Sequence, residues 1–93
     1  MPAGPKGVVV VTLPAALVSL FPGSVQRVEL AAGSVAEAID ALDAVWPGMR
    51  DRLCDTRPGI RRNINVFVAG RRATLATPIE PGMEVNIMTA MLG

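Results

Sequence analysis

The chain closes on Thr89-Ala90-Met91-Leu92-Gly93, an uncharged run that follows directly on a strand-like segment, Glu84-Val85-Asn86-Ile87-Met88. The glycine carboxylate is the group best suited to chemistry. Glycine has no side chain, so a narrow site can close around such a terminus, and its backbone takes conformations that other residues avoid. The remaining residue types supply little. Histidine is absent and cysteine occurs once, as Cys54. That removes histidine bases, Cys-His dyads, zinc sites with several Cys or His ligands, and any intrachain disulfide. A lone thiol in an apolar chain reads as a core residue, and the set suits a reducing compartment. Asp40 and Asp43 stand about one helical turn apart, but they belong to the solvated face of a helix and do not read as an acid-base pair.

Two arginine pairs, Arg61-Arg62 and Arg71-Arg72, flank the segment 63–68. One reading makes them solvated loop charges, because exposed ion pairs contribute little. The other has them engage acidic residues on a partner, mainly speeding encounter. Nucleic acid is not an expected partner: the formal net charge is +1, and only Phe21, Trp46 and Phe67 are available to stack on bases. Nor is a membrane. Val8-Val9-Val10-Val11 is too short to span a bilayer and lacks a secretory cleavage site, so a soluble, cytoplasmic protein is expected.

The elements that must position this terminus are few. With 93 residues, 51% apolar and 18% charged, the chain is expected to form a single domain, 1–93, with flexible ends at 1–6 and 89–93. Gly7 to Leu13 is β-branched and stops at Pro14, as a strand does. Ala15 to Phe21 is apolar, short and bounded by the Pro22-Gly23 turn. A second strand runs from Val25 to Leu30. Ser34 is a good helix N-cap, and Glu37 three residues on completes a capping box. Val35, Ala38, Ile39, Leu42, Val45 and Trp46 then recur at spacings of three and four, predicting one amphipathic helix with Trp46 in the core. Pro47-Gly48 ends it, and Met49 to Asp55 suits a further short turn of helix. Asn63 to Val68 alternates as a strand, Ala69-Gly70 turns into a brief strand at Arg71 to Thr74, and Met83 to Met88 forms the last strand. The order is ββαβββ, an α+β arrangement without the βαβα alternation of a doubly wound sheet.

Strand alternation also predicts a surface. Ile64, Val66, Val68, Val85 and Ile87 point inward, leaving Phe67 and Met88 outside. If the helix covers one face only, Val8, Val10, Phe67 and Met88 form an exposed apolar patch beside the tail residues Thr89, Ala90, Met91, Leu92 and Gly93. Such a patch suits partner docking.

The order of a hairpin, a capped helix, the strand Asn65-Val66-Phe67-Val68-Ala69-Gly70, the segment Pro78-Ile79-Glu80-Pro81-Gly82-Met83-Glu84-Val85, an apolar strand and a terminal glycine resembles the ubiquitin-like β-grasp sulfur carriers. These include the small subunit of molybdopterin synthase, the thiamin sulfur carrier and the carrier of protein-based cysteine synthesis. The resemblance runs from Val8 to Gly93 and implies a mixed sheet of four to five strands with one main helix. It also implies a sulfur-carrying protein substrate rather than an enzyme. An activating enzyme using ATP and Mg²⁺ would adenylate the Gly93 carboxylate, sulfur would displace AMP to give a thiocarboxylate, and a synthase or large synthase subunit would accept the sulfur. No cofactor would be bound by the carrier itself. Molybdopterin synthesis is the pathway favoured, with cysteine, thiamin or thio-metabolite synthesis as the others. The tail departs from the family's Gly-Gly ending: counted from Ile87, Gly93 takes the place of the first glycine, and if it is the reactive end then Leu92 stands where the family has glycine. That departure favours one alternative, a β-grasp interaction module without tail chemistry; a ubiquitin-like modifier of other proteins, which would use the same activation step, is another. The iron–sulfur version of the fold is excluded by the single cysteine.

Overall fold

The computed structural model describes residues 7–54 and 59–89. The first strand, β1 (Val8–Thr12), is a β-branched run that gives way at Leu13-Pro14. Pro14, fixed at φ −70°, caps a single helical turn, α1 (Ala15–Val18), which buries Leu17. The sequence pattern assigns this segment no structure, because four residues carry too little periodicity to declare a helix. Gly23, at φ +88°, reverses the chain, and the Ser24 hydroxyl ties the turn by donating to the Val18 and Phe21 carbonyls. The second strand, β2 (Arg27–Ala31), pairs antiparallel with β1, Val8 opposite Ala31 and Thr12 opposite Arg27.

The main helix, α2 (Val35–Val45), starts where the capping signal places it. The Ser34 hydroxyl accepts from the Glu37 amide at 3.2 Å. Glu37 reaches back to the Gly33 amide, 2.8 Å away, one residue earlier than in a standard capping box. The Val35 and Ala36 amides donate to the Thr77 and Leu75 carbonyls. The loop after β4 (Arg71–Arg72) thus satisfies donors that every helix start leaves open. Val35, Ala38, Ile39 and Leu42 are buried. Val45 is not: it is 59% exposed, and Trp46 is half-buried rather than in the core. Val45 lies at the rim of the apolar stripe, about 70° from its centre at 100° per residue. Trp46 has left the helix at φ −126°, ψ 89°, because a residue before proline is pushed out of the α region.

Gly48, at φ +100°, opens a second short helix, α3 (Met49–Leu53), which buries Met49 and Leu53. The third strand, β3 (Ile64–Val68), turns through Ala69 and Gly70, both at positive φ as a type I′ hairpin requires, into β4. The last strand, β5 (Glu84–Thr89), is inserted between β1, to which it runs parallel, and β3, to which it runs antiparallel. The sheet order is β2-β1-β5-β3-β4, a five-stranded mixed sheet. Val9, Val11, Ile64, Val66, Val68, Val85 and Ile87 point from one face into a core completed by the helices. The α+β architecture expected from the sequence is present, with α1 and α3 added to the ββαβββ order.

Candidate functional site: the open sheet face and the end of the last strand

Residues alternate along each strand, so burying Val85 and Ile87 leaves Glu84, Asn86 and Met88 on the opposite face. The same rule puts Val8, Val10 and Thr12 of β1 and Asn65 and Phe67 of β3 there. All four predicted docking residues lie on this face: Val8 is 55% exposed, Met88 is 49% exposed, and Val10 and Phe67 are half-buried.

Register decides which of them meet. Phe67 is opposite Asn86, and Met88 is opposite Asn65, so Phe67 and Met88 are diagonal neighbours across β3 and β5. Val10 is opposite Glu84, and Thr12 is opposite Asn86. A polar band therefore separates Val8 and Val10 from Phe67 and Met88. In it Thr12 donates its hydroxyl hydrogen to Asn86 Oδ1, and Arg27 faces Glu84 at 3.7 Å. The four residues share a face but form two apolar pairs rather than one patch. Because β1 and β5 run parallel, Val8 sits at the end of the sheet away from Thr89, and only the Phe67–Met88 pair adjoins the strand end. Alternation supplies the face; strand order and register, which set the neighbours, lie outside its reach.

Thr89, counted with the flexible end in the sequence reading, is the final residue of β5 and pairs with Ile64. Ala90, Met91, Leu92 and Gly93 lie outside the described residues. Thr89 also borders an open cavity of about 690 Å³ walled by Leu17, Leu20, Phe21, Arg52 and Arg61 among others. Sequence reasoning missed this hollow. Its one signal was the apolar run 15–21, too long for a turn and bounded by Pro22-Gly23; Leu20, 52% exposed, is the part that α1 does not bury.

The arginine pairs divide. Arg61 donates from Nε to the Asp51 carbonyl at 2.8 Å. Arg71 and Arg72 form the exposed edge strand β4, and Arg72 donates to Asn65 Oδ1 at 2.9 Å, beside Met88. Asp40 and Asp43 serve the α2–α3 corner. Asp40 pairs with Arg50, and Asp43 Oδ1 accepts from the Gly48 and Arg50 amides at 3.0 and 3.1 Å. Cys54 is buried, 7% exposed. Among the described residues no three His, Cys, Asp or Glu side chains converge as a metal site would need, and no helix is long and apolar enough to cross a membrane.

An exposed apolar pair beside a strand end is the kind of surface on which a partner docks. Among known proteins, no protein-family model matches the sequence, and no curated protein matches it. Solved structures do. CysO in the BexX/CysO complex of Amycolatopsis orientalis superposes with a TM-score of 0.82 at 27% identity, covering 91% of this chain and 98% of that one. Mycobacterium tuberculosis CysO, described as an antigen, gives 0.80 at 29% identity, over 89% of this chain and 99% of that one. SAMP1 of Haloferax volcanii gives 0.78 at 26%, over 94% and 99%. With its parallel β1 and β5 and a capped helix across one face, the chain has the ubiquitin-like β-grasp fold that these neighbours share.

Proposed function

We propose that this chain is a sulfur carrier whose Gly93 carboxylate is adenylated and then converted to a thiocarboxylate. The observation that carries the reading is the likeness, over about nine-tenths of the chain, to two CysO proteins, in a chain whose last strand leads into Thr89-Ala90-Met91-Leu92-Gly93. A carboxylate is a poor acyl donor because its leaving group would be oxide. A dedicated activating enzyme, with ATP and Mg²⁺, exchanges that oxide for AMP and releases pyrophosphate. Sulfide sulfur then attacks the carbonyl carbon, the C–O bond to AMP breaks, and the thiocarboxylate remains on the carrier. Stabilising the charge that develops belongs to the partner enzyme, whose preorganised donors and metal surround the tail.

The carrier's own share is docking. Phe67 and Met88, next to the end of β5, form the apolar part of the surface, and Arg72 supplies charge beside them. The sulfur then passes to a synthase. The likeness to a CysO found in complex with BexX supports a carrier that docks on a partner protein; molybdopterin synthesis is the pathway the sequence resemblance favours, with cysteine, thiamin or thio-metabolite synthesis as the others. A modifier role is a second reading, favoured by the SAMP1 likeness. It shares the activation step and differs in the nucleophile, an amine instead of sulfide.

Incubating the purified protein with its host's activating enzyme, ATP, Mg²⁺ and sulfide tests the proposal by intact mass. The expected product is heavier by the difference between sulfur and oxygen, with the change confined to the C-terminal peptide. A mass that stays unchanged, with no ATP–pyrophosphate exchange, overturns it.

A further inference from the structure

A sheet edge either carries features that turn other strands away or stands open to pairing. Among the described residues the two edges of this sheet, β2 and β4, differ in that respect. The β4 edge is two residues long and presents Arg71 and Arg72, charges of one sign that repel a second copy of themselves. The β2 edge is a longer, regular strand. Its pairing with β1 continues unbroken past both ends, to a Gly7–Ala32 contact and a Leu13–Gln26 contact. No bulge, proline or lysine interrupts residues 25–31.

Those end contacts decide which backbone groups of β2 face outward. In an antiparallel ladder, residues that exchange hydrogen bonds alternate with residues that do not. The Leu13 amide donates to the Gln26 carbonyl, and the Ala32 amide donates to the Gly7 carbonyl. Gln26, Val28, Leu30 and Ala32 therefore turn their amides and carbonyls toward β1, and Arg27, Glu29 and Ala31 turn theirs to the open edge. A second β2 strand added antiparallel must bond through the same three residues, which leaves few registers. Centred on Arg27, the pairing sets Arg27 against Arg27; centred on Glu29, it sets Glu29 against Glu29. Like charges directly opposite are destabilising. Centred on Val28, it sets Arg27 of each copy opposite Glu29 of the other. Both side chains are exposed on the open face. Val25, 49% exposed, then falls opposite Ala31.

We propose that the β2 edge is an interface with a second copy of this chain, the two β2 strands pairing antiparallel about a two-fold axis at Val28. Along residues 25, 27, 29 and 31 the order is apolar, positive, negative, apolar, which is self-complementary in that register, as an isologous contact requires. Arg27 keeps Glu84 of its own chain at 3.7 Å on the inner side, and its guanidinium has donors enough for a second carboxylate. The contact is small, about four backbone hydrogen bonds and two ion pairs, and belongs with weak, transient interfaces. The inference does not depend on the carrier reading. The Phe67–Met88 pair lies beyond β1, away from this edge.

Sedimentation equilibrium of the full chain, from about 10 μM to about 1 mM, spans the range for weak association. The mass is expected to rise from 9.7 kDa toward twice that value. Arg27→Glu and Glu29→Arg, each checked for folding by circular dichroism, are expected to dimerise at least about tenfold more weakly, because like charges then meet twice. Mixed in equal amounts, the two variants are expected to recover the wild-type association, since two acids on one strand face two arginines on the other. Hydrogen exchange at the Arg27, Glu29 and Ala31 amides is expected to slow as concentration rises. A chain that keeps the mass of one copy at the highest concentration would overturn the inference and leave the edge to a strand of another protein. So would a dimer that neither substitution weakens, or two weakened variants that do not recover on mixing. Failure of the carrier reading shows separately, as absent ATP–pyrophosphate exchange.

Discussion

Asp43 does for the start of α3 what Ser34 does for the start of α2. Its carboxylate accepts from two backbone amides, Gly48 and Arg50, that would otherwise be open at the start of α3. Asp43→Ala is therefore expected to cost about 1–2 kcal/mol in urea unfolding, with Asp43→Asn losing less, because the amide oxygen still accepts. An unchanged unfolding midpoint in Asp43→Ala would show that water replaces the carboxylate without loss. In the sequence Asp43 read only as one carboxylate on a solvated face. Its partners become visible once Gly48 adopts φ +100° and folds residues 48–50 back toward the helix, a choice open to glycine and hidden from helical periodicity.

Elements with strong local signals were legible: the β-branched first strand, the Ser34 cap, the alternating 63–68 strand and the Pro-Gly turns all stand where the pattern puts them. The one-turn helix α1 was not, and the apolar stripe runs one residue past the helix, to Trp46, because Pro47 acts on Trp46 through backbone sterics that a hydrophobic stripe does not register. The β3–β4 hairpin carries an unforced flaw at this scale. Ala69 sits at φ +51°, a region that disfavours a Cβ, in a two-residue turn whose preferred sequence is Asn-Gly. Ala69→Asn is expected to stabilise the protein by about 0.5–1 kcal/mol, read as a raised melting temperature. A lowered one would mean that the Ala69 side chain makes contacts worth more than the strain.

For the molecule as a whole, the sequence yielded the open face and withheld its map. Alternation assigned Val8, Val10, Phe67 and Met88 to one side, yet only the pairing of β5 with both β1 and β3 reveals that a polar band divides them. If Phe67 and Met88 are the docking pair, Met88→Asp is expected to weaken association with the activating enzyme by at least about tenfold, whereas Val8→Asp changes it little. Equal losses, measured by titration calorimetry, would restore the undivided patch. Residues 90–93, on which the proposed chemistry turns, are legible only as composition.

The central position of β5 has a bearing on biosynthesis. Its partners are separated from it by long stretches of chain, Thr12 from Asn86 above all. During translation β1 and β3 emerge long before the strand that joins them, and neither is paired to the other in the finished sheet. The closing contacts are the most remote in sequence, which slows folding and delays it until the last strand has left the ribosome. A nascent chain halted before Glu84 would hold two unpaired strand edges and no closed core, a natural target for proteases. Only copies that have received their final strand, and with it the residue from which the proposed carrier tail continues, would survive as folded protein.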